Sequence, residues 1–304
     1  MGRSLLRCAS QKFTFGNGSF ITLLITNGGT VQTKGFDVDT GTSGENRLVI
    51  ANGTLNVQES AFHMYGGSVI LNGGVVNTPQ LWLDVGSFTF NAGTVKIGHK
   101  VGNNGAVFTV GHGVNAATYY MSGLPSDTHL FSSGLLIANQ GMLAGNGQIN
   151  DGVLTVANGG SLSPGSSIGT INLQLSPTLQ GKTIMEISKA GGGLANDVIN
   201  IGDVLTLGGS LTVTNIGPDA LAAGDSFALF TAVGPIGGAF ASLSLPPLPA
   251  GLSWTNMLML DGSIAVVNKT APRLGGLTKA GTNLNFTVTG GSPGAPWILL
   301  SSTN

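Results

Sequence analysis

Charged residues are scarce in this chain. Only 8% of its 304 residues are Asp, Glu, Lys or Arg, and the formal net charge is −1. Nucleic acid is bound through a basic face that displaces counterions, and an anionic membrane surface attracts clustered cations. Because Lys and Arg are scattered singly along this sequence, neither partner is expected. Ser, Thr, Asn and backbone amides must keep the surface soluble instead.

Cysteine and long apolar runs are also lacking. Cys8 is the single cysteine, so an internal disulfide is excluded. No stretch reaches the ~18 apolar residues of a membrane-spanning helix. Near the start, Leu5 and Leu6 form an apolar pair that is too short for the core of a signal peptide. We expect either an intracellular chain or a fragment whose true start lies upstream.

Glycine, in contrast, is abundant, and it recurs with asparagine at regular intervals. The chain has 50 Gly and 41% hydrophobic residues, without the Gly-X-Y period of collagen. An Asn followed within two residues by Gly or Ala lies between short apolar stretches seven times, and the later examples are about 20 or about 24 residues apart. The positions are Asn27, Asn52, Asn72, Asn91, Asn139 and Asn158, the last with Gly159 and Gly160, and a weaker example at Asn115.

Residues alternate between apolar and polar around these positions, as in a half-buried strand. Phe88 and Phe90 precede Asn91, for example, and Val95 and Ile97 follow it on the same side. Asn and Gly suit corners because both tolerate positive φ, but two-residue hairpins of an antiparallel meander use the same chemistry. Hairpins recur every 8 to 12 residues or so, about half the interval found here. We therefore predict an all-β fold, a right-handed parallel β-helix (β-solenoid) whose turns stack on one another.

From Gly145 to Ile171 the repeat has a specific word order. Its pattern is G-x-G-x-I, then L-x-V, then GG-x-L-x-PG-x-S-x-G, which includes Gly145, Gly147, Gly152, Pro164, Gly165 and Gly169. This stretch resembles the autotransporter-associated β-strand repeat, also called the passenger-associated transport repeat, of bacterial surface and secreted proteins. Residues 196–213 and 223–254 are similar to the distal part of autotransporter passengers. The resemblance covers about residues 145–268, and the earlier half shares only the periodicity.

Changes in pattern divide the chain into four segments. Residues 1–15 are predicted to be an N-terminal cap or a non-native start, and 16–144 to be degenerate β-helix repeats. The transport-associated repeat and the C-terminal rungs occupy 145–268. Residues 269–304 begin a truncated β-sandwich-like module, or form a short β-hairpin on the solenoid end, with strands predicted near 284–291 and 297–302.

Two glycine-rich motifs match enzyme patterns. Gly165 to Gly169 fits the G-x-S-x-G nucleophile elbow, with Ser167 as the nucleophile, but that motif requires a helix after it. Residues 111–116 fit G-x-G-x-x-A, which in a dinucleotide site also opens a helix. Strand-like sequence follows the first motif and only a short possible helix follows the second. Corners of the solenoid are the better interpretation of both.

Carboxylates and histidines are the remaining candidates for chemistry. Polysaccharide-degrading solenoids need two carboxylates facing one bond, and Asp37 with Asp39 is the best local pair. A solvated loop edge or a weak cation site is the simpler interpretation of this pair. The histidines never fall at i, i+2 or i, i+4, the spacing of a local metal site: His63, His99, His112 and His129. Trp254 and Trp297 are interpreted as plugs of the fold rather than carbohydrate platforms. No catalytic, cofactor-binding or metal-binding residue is predicted.

The function expected from the resemblance and the repeat is structural. The chain is predicted to be the stalk or passenger of a secreted or surface-exposed bacterial protein, outside the cell or on its outer surface, with C-terminal rungs that assist translocation or folding. Extracellular glycans, cell-envelope components and the export machinery are the candidate partners. The alternatives are an adhesin-type glycan-binding module and, more weakly, a polysaccharide-degrading β-helix enzyme.

Overall fold

The computed structural model describes residues 5–8, 11–15, 21–39, 46–103, 105–269 and 273–289. Within these ranges the chain is nearly all β-structure, with one short helix, α1 (Leu258–Asp261). The strands are β1 (Leu5–Cys8), β2 (Phe13–Phe15), β3 (Thr22–Thr26), β4 (Thr30–Thr33), β5 (Phe36–Val38), β6 (Arg47–Ala51), β7 (Gly53–Val57), β8 (Ala61–Met64), β9 (Ser68–Leu83), β10 (Ser87–Asn103), β11 (Phe108–Val110), β12 (Ala117–Ser122), β13 (Thr128–Phe131), β14 (Leu135–Ile137), β15 (Gly141–Asn150), β16 (Leu154–Val156), β17 (Ser161–Pro164), β18 (Thr170–Leu173), β19 (Thr178–Leu179), β20 (Lys182–Ala190), β21 (Gly193–Asn196), β22 (Val198–Ile201), β23 (Leu205–Leu207), β24 (Ser210–Asn215), β25 (Ser226–Ala228), β26 (Phe230–Ala232), β27 (Ile236–Gly238), β28 (Ser242–Ser244), β29 (Leu252–Met257), β30 (Ser263–Asn268), β31 (Arg273–Ala280) and β32 (Asn283–Thr289).

The strands stack in three parallel columns, which confirms the predicted parallel β-solenoid. The second column runs through β1, β4, β7, β9, β10, β12, β15, β17, β20, β24 and β28. The first column holds the strands that precede the second column in each turn, from β3 and β6 to β16 and β19. The third holds those that complete the turn, from β2 and β5 to β22 and β26. The long strands β9 and β10 bend through all three columns.

The core fills the inside of the three columns. Alternate residues of each strand point inward, and those of successive turns lie on top of one another because the pairing is parallel and in register. In the third column Phe13 stacks on Phe36 at 5.4 Å between ring centroids, and Phe36 meets Phe62 edge-on at 5.4 Å. Phe108 continues the aromatic packing with Phe131 at 5.5 Å. Burial of each such side chain stabilises the fold by roughly 1.5–3 kcal/mol.

A small antiparallel sheet covers the C-terminal turns. It consists of β25, β30 and β29, and helix α1 packs against it and against β27. Phe227 is fully buried there, and the Trp254 ring lies 6.3 Å from it. The indole N–H of Trp254 donates to the carbonyl of Pro246 at 2.9 Å. Trp254 is therefore partly buried against the core, and its role as a plug stays a prediction; Trp297 lies outside the described residues.

The solenoid runs through two of the predicted segment boundaries. Strands β1 and β2, before residue 16, pair with β4 and β5 of the same sheet, and β15 crosses residues 144 and 145 within one strand. After the small antiparallel sheet of β25, β30 and β29, β31 and β32 form a separate antiparallel pair. The predicted strand near 284–291 is therefore β32 in its described part, and its partner precedes it. The strand expected at 297–302 lies outside the described residues.

Candidate functional site

The predicted corner residues lie where the chain passes from the first column to the second. Asn27 and Asn52 adopt positive φ themselves, at 53° and 60°. After Asn139 and Asn158 the next residue takes the positive φ, Gln140 at 62° and Gly159 at 78°, and Gly160 N–H closes the turn on Ala157 O at 2.9 Å. Asn72 and Asn91 lie at bends inside β9 and β10. The Asn91 amide donates to Asn72 Oδ1 at 2.8 Å, which is one step of a stacked asparagine ladder.

Gly145, Gly165 and Gly169 of the transport repeat lie at a different corner, between the second and third columns, and Gly152 lies between the third column and the first. Gly145 and Gly165 exchange backbone hydrogen bonds, at 3.2 and 2.8 Å. A Cβ at Gly169 would overlap Gly165, and a Cβ at Gly152 would overlap the carbonyl of Phe131, so these backbones are in close contact. Gly147 faces His129, and Pro164 ends β17. The order of glycines in the motif therefore reflects tight backbone packing around one turn of the solenoid.

Asp197 closes the same corner and was not recognised from the sequence as a site residue. Its carboxylate is fully buried and accepts the N–H of Gly169 at 2.7 Å and that of Glu186 at 2.6 Å. Burial raises the pKa of Asp197 to about 7, although both backbone N–H bonds act in the opposite direction. This side chain ties three successive segments of the solenoid together through one ionisable group.

A second buried polar pair lies inside the core. His129 Nδ1 and the hydroxyl of Tyr119 are 2.7 Å apart, and both side chains are fully buried. Among the described residues His129 Nε2 has no hydrogen-bond partner. Burial lowers the pKa of His129 to about 4 and raises the pKa of Tyr119. The imidazole is thus neutral at physiological pH and shielded from any solute.

The outward side of the third column carries a continuous polar row, called here the outward ladder. Its members face solvent in register on successive turns, and they are Gln80, Lys100, Thr128, Gln148, Asn172, Asn200 and Thr231. At about 4.8 Å per step the ladder extends about 29 Å along the solenoid. Six of the seven side chains carry no charge. Its surface is therefore a straight, nearly neutral line of hydrogen-bonding groups.

Side-chain hydrogen bonds hold the C-terminal part of this ladder in place. Thr231 Oγ1 donates to Asn200 Oδ1 at 2.6 Å, and Asn200 Nδ2 donates to Asn172 Oδ1 at 2.8 Å. Asn172 Nδ2 then donates to Pro125 O at 2.8 Å. An open groove of about 650 Å³ lies over these residues, and Gln174, Gly202 and Val233 also line it. The ladder thus forms the polar floor of an accessible surface.

Aromatic side chains gather at the N-terminal end of the outward ladder. Trp82 Nε1 donates to Gln80 Oε1 at 3.2 Å, and the Lys100 ammonium lies 5.0 Å from the Trp82 ring centroid. On the preceding turn His63 is in register with Trp82, and its ring stacks on Tyr65 at 3.7 Å. These residues escaped sequence analysis because their proximity depends on the register between turns. The His63 Nε2 atom is bound to Asp84 at 2.7 Å.

The residues considered for catalysis or metal binding lie at separate places in the fold, except that Asp37 and Asp39 are two residues apart. Asp37 is buried in β5, so the solvated edge expected for this pair is wrong for Asp37. Ser167 lies in the exposed loop between β17 and β18, with a strand instead of a helix after it. Residues 111–116 likewise lead into strand β12, so the short helix considered there is wrong. Asp37 forms an ion pair with Lys12, and His99 lies 3.6 Å from Asp127. His112 lies in the loop before β12.

The described ranges contain no group of three or more His, Cys, Asp or Glu arranged to hold a metal ion. They also contain no helix of the length and apolar character needed to cross a membrane. No protein-family model matches the chain, and no curated protein matches it either.

Proposed function

We propose that this protein is a rigid structural stalk or passenger segment of a secreted or surface-exposed bacterial protein, and that its C-terminal rungs assist translocation or folding. The observation that carries the proposal is the parallel solenoid of the described residues, whose last turns are covered by an antiparallel cap, the sheet of β25, β29 and β30 with α1. Such a fold is long and stiff, because each turn is fixed to the next by in-register strands on three sides. The motif between Gly145 and Ile171, which resembles a transport-associated repeat, supports the extracellular location.

The cap gives the folding role a physical basis. A solenoid turn cannot bury its apolar face alone, so folding requires a starting surface to which the next turn adds. The sheet of β25, β29 and β30 with α1 is such a surface, since it buries Phe227, Ile264 and Leu258. If the C-terminal cap folds first during export, each further turn can add only to the N-terminal side of the folded part. Folding then proceeds in one direction and opposes return of the chain.

Surface exposure tests the proposal. Intact cells of the source bacterium, treated with an external protease, are expected to lose the band that an antibody against this chain detects. A cytoplasmic marker protein should survive the same treatment and be cut only after lysis. Detection of the chain only in lysed cells, in the cytoplasmic fraction, would contradict the proposal.

A further inference from the structure

The outward ladder has the geometry of a binding site for a long polymer. Its groups repeat at about 4.8 Å along a straight line, and the groove above Asn172 and Asn200 is open to solvent. A small compact ligand would contact only two or three of these groups. A linear polymer lying along the solenoid axis would contact all of them. The ladder therefore selects for an extended ligand.

Hydrogen bonds within the ladder leave further groups available for that ligand. A side-chain amide has two N–H donors and two carbonyl lone pairs. Asn200 uses one donor toward Asn172 and one lone pair toward Thr231. One donor and one acceptor remain at the groove floor, and their direction is already fixed by the ladder. Preorganised groups of this kind lose little conformational entropy when a ligand binds.

Charge indicates which polymer fits. Lys100 is the only charged member of the outward ladder, and it lies over the Trp82 ring. A polyanion would need several cations along the row, and a polycation several carboxylates, because an unpaired charge is costly to desolvate. Hydroxyl groups, in contrast, both donate to and accept from side-chain amides. The ligand should therefore be rich in hydroxyls and uncharged.

The aromatic end supplies the apolar contact that a sugar ring needs. The Trp82 ring covers Gly102 on the next turn, where a Cβ would lie 2.5 Å from its Cε3 and Cζ3 atoms. Glycine at this position lets the large ring lie against the strand. Tyr65 is exposed and is held by stacking on His63, which is in register with Trp82 on the preceding turn. The Tyr65 ring, and the part of the Trp82 ring that Lys100 and Gly102 leave uncovered, present apolar surface with polar edges. Such a surface matches the C–H face and hydroxyl rim of a pyranose.

We propose that this face binds a linear, uncharged polysaccharide along the solenoid axis. Its hydroxyl groups bond to the outward ladder, and one sugar ring lies at the Trp82 end. This inference goes beyond the stalk function and does not rest on it, since the solenoid presents the same face wherever in or outside the cell it is located. It also names the ligand chemistry of the adhesin-type alternative.

Titration calorimetry of the full chain with neutral hexasaccharides tests this inference. The probes are the hexasaccharides of cellulose, xylan, amylose and β-mannan, with heparin and polygalacturonate as charged comparisons. We expect at least one neutral hexasaccharide to bind, with little dependence on salt concentration, and its disaccharide to bind at least about tenfold more weakly. Failure of every neutral hexasaccharide to bind the folded chain, or binding of the charged polymers alone, would overturn the proposal.

Substitutions locate the site. Trp82→Ala, Asn200→Ala and the milder Thr231→Val should each weaken binding about tenfold or more, equivalent to about 1.4 kcal/mol. Asn77→Ala is the matched control, because Asn77 donates to Asn56 at 3.0 Å in a similar ladder on the second column. It should leave affinity unchanged. Thr231→Val keeps the test valid if either larger truncation disturbs the fold. Equal affinity in all four variants would place the ligand elsewhere and reject the proposed face.

Discussion

Two buried ionisable side chains have opposite effects on stability as pH changes. His129 is buried as a neutral imidazole, and burial lowers its pKa from 6.5 to about 4. Between pH 6.5 and about 4, His129 is therefore protonated in the unfolded chain but not in the folded chain. This difference decreases the stability of the fold as pH falls through that range. Asp197 behaves oppositely, because burial raises its pKa from 3.8 to about 7. Between pH 3.8 and about 7, the Asp197 carboxyl is protonated in the folded chain and ionised in the unfolded chain. Asp197 therefore decreases the stability of the fold as pH rises through that range.

The two effects should nearly cancel between about pH 4 and pH 6.5. Removing one group should expose the other, at a slope of about 1 kcal/mol per pH unit. We expect Asp197→Asn to gain stability relative to its own value at pH 4 as pH rises to 6.5, and His129→Leu to lose stability over the same interval. Denaturant unfolding at half-unit pH steps measures both slopes. Parallel pH profiles in wild type and both variants would contradict this assignment.

Glycines at the corners allow successive turns to approach closely. Gly145 has φ of +97°, and a Cβ there would overlap the carbonyl oxygen of Met121 on the preceding turn. The positive φ is unfavourable for residues with a side chain, and the overlap is with backbone, which cannot rotate away. Gly237 lies in a strand of the same solenoid with open space where its Cβ would be. A side chain is therefore expected to destabilise the fold at Gly145 but not at Gly237.

An alanine at each position makes this difference measurable. Gly145→Ala should lower the free energy of unfolding by on the order of 3 kcal/mol or more, because it combines backbone strain with overlap. Gly237→Ala should change it by less than about 0.5 kcal/mol. Guanidinium unfolding monitored by circular dichroism provides both values. Similar losses in the two variants would show that the close contact at Gly145 does not limit the packing of the turns.

For the whole molecule, the C-terminal cap distinguishes one end of the rod from the other. If folding starts at the cap, side chains there are packed in the transition state and those of early turns are not. Phe227 in the cap and Phe62 in an early turn are both fully buried. Truncation of either to Ala should cost about 3–5 kcal/mol. The two losses should differ in whether they alter the folding rate or the unfolding rate.

We expect Phe227→Ala to slow refolding and Phe62→Ala mainly to speed unfolding. Stopped-flow refolding and unfolding across a denaturant series measure both rates for each variant. The reverse assignment, with slower refolding for Phe62→Ala, would place the folding start near the N-terminal turns. That result would remove the physical basis proposed for assisted export.

Much of this fold was predictable because the features that specify it are local and repeated. The Asn corners, the alternation around residues 87–97 and the period of about 20 to 24 residues each indicate a solenoid turn. Antiparallel pairing of β31 with β32 was only partly predicted, since the preceding strand has little alternation of its own. The short helix considered after residue 116 was wrong, because Ala117, Tyr119 and Met121 alternate as inward residues of a strand.

The sequence by itself determined the three-sided parallel stack, since inward residues at a regular interval leave each turn no other way to bury its apolar face. Only the tertiary structure decided what the turns bring together. The Asp197 bond to Gly169 and the outward ladder join residues from successive turns, and the Asp197 bond to Glu186 and the Tyr119–His129 pair join different strands of one turn. Their partners lie 10 to 28 residues apart. Turn length varies from 19 residues between Val75 and Thr94 to 32 between Ser210 and Ser242, so the register that places these groups in contact is set by loop length and packing, which no single segment encodes.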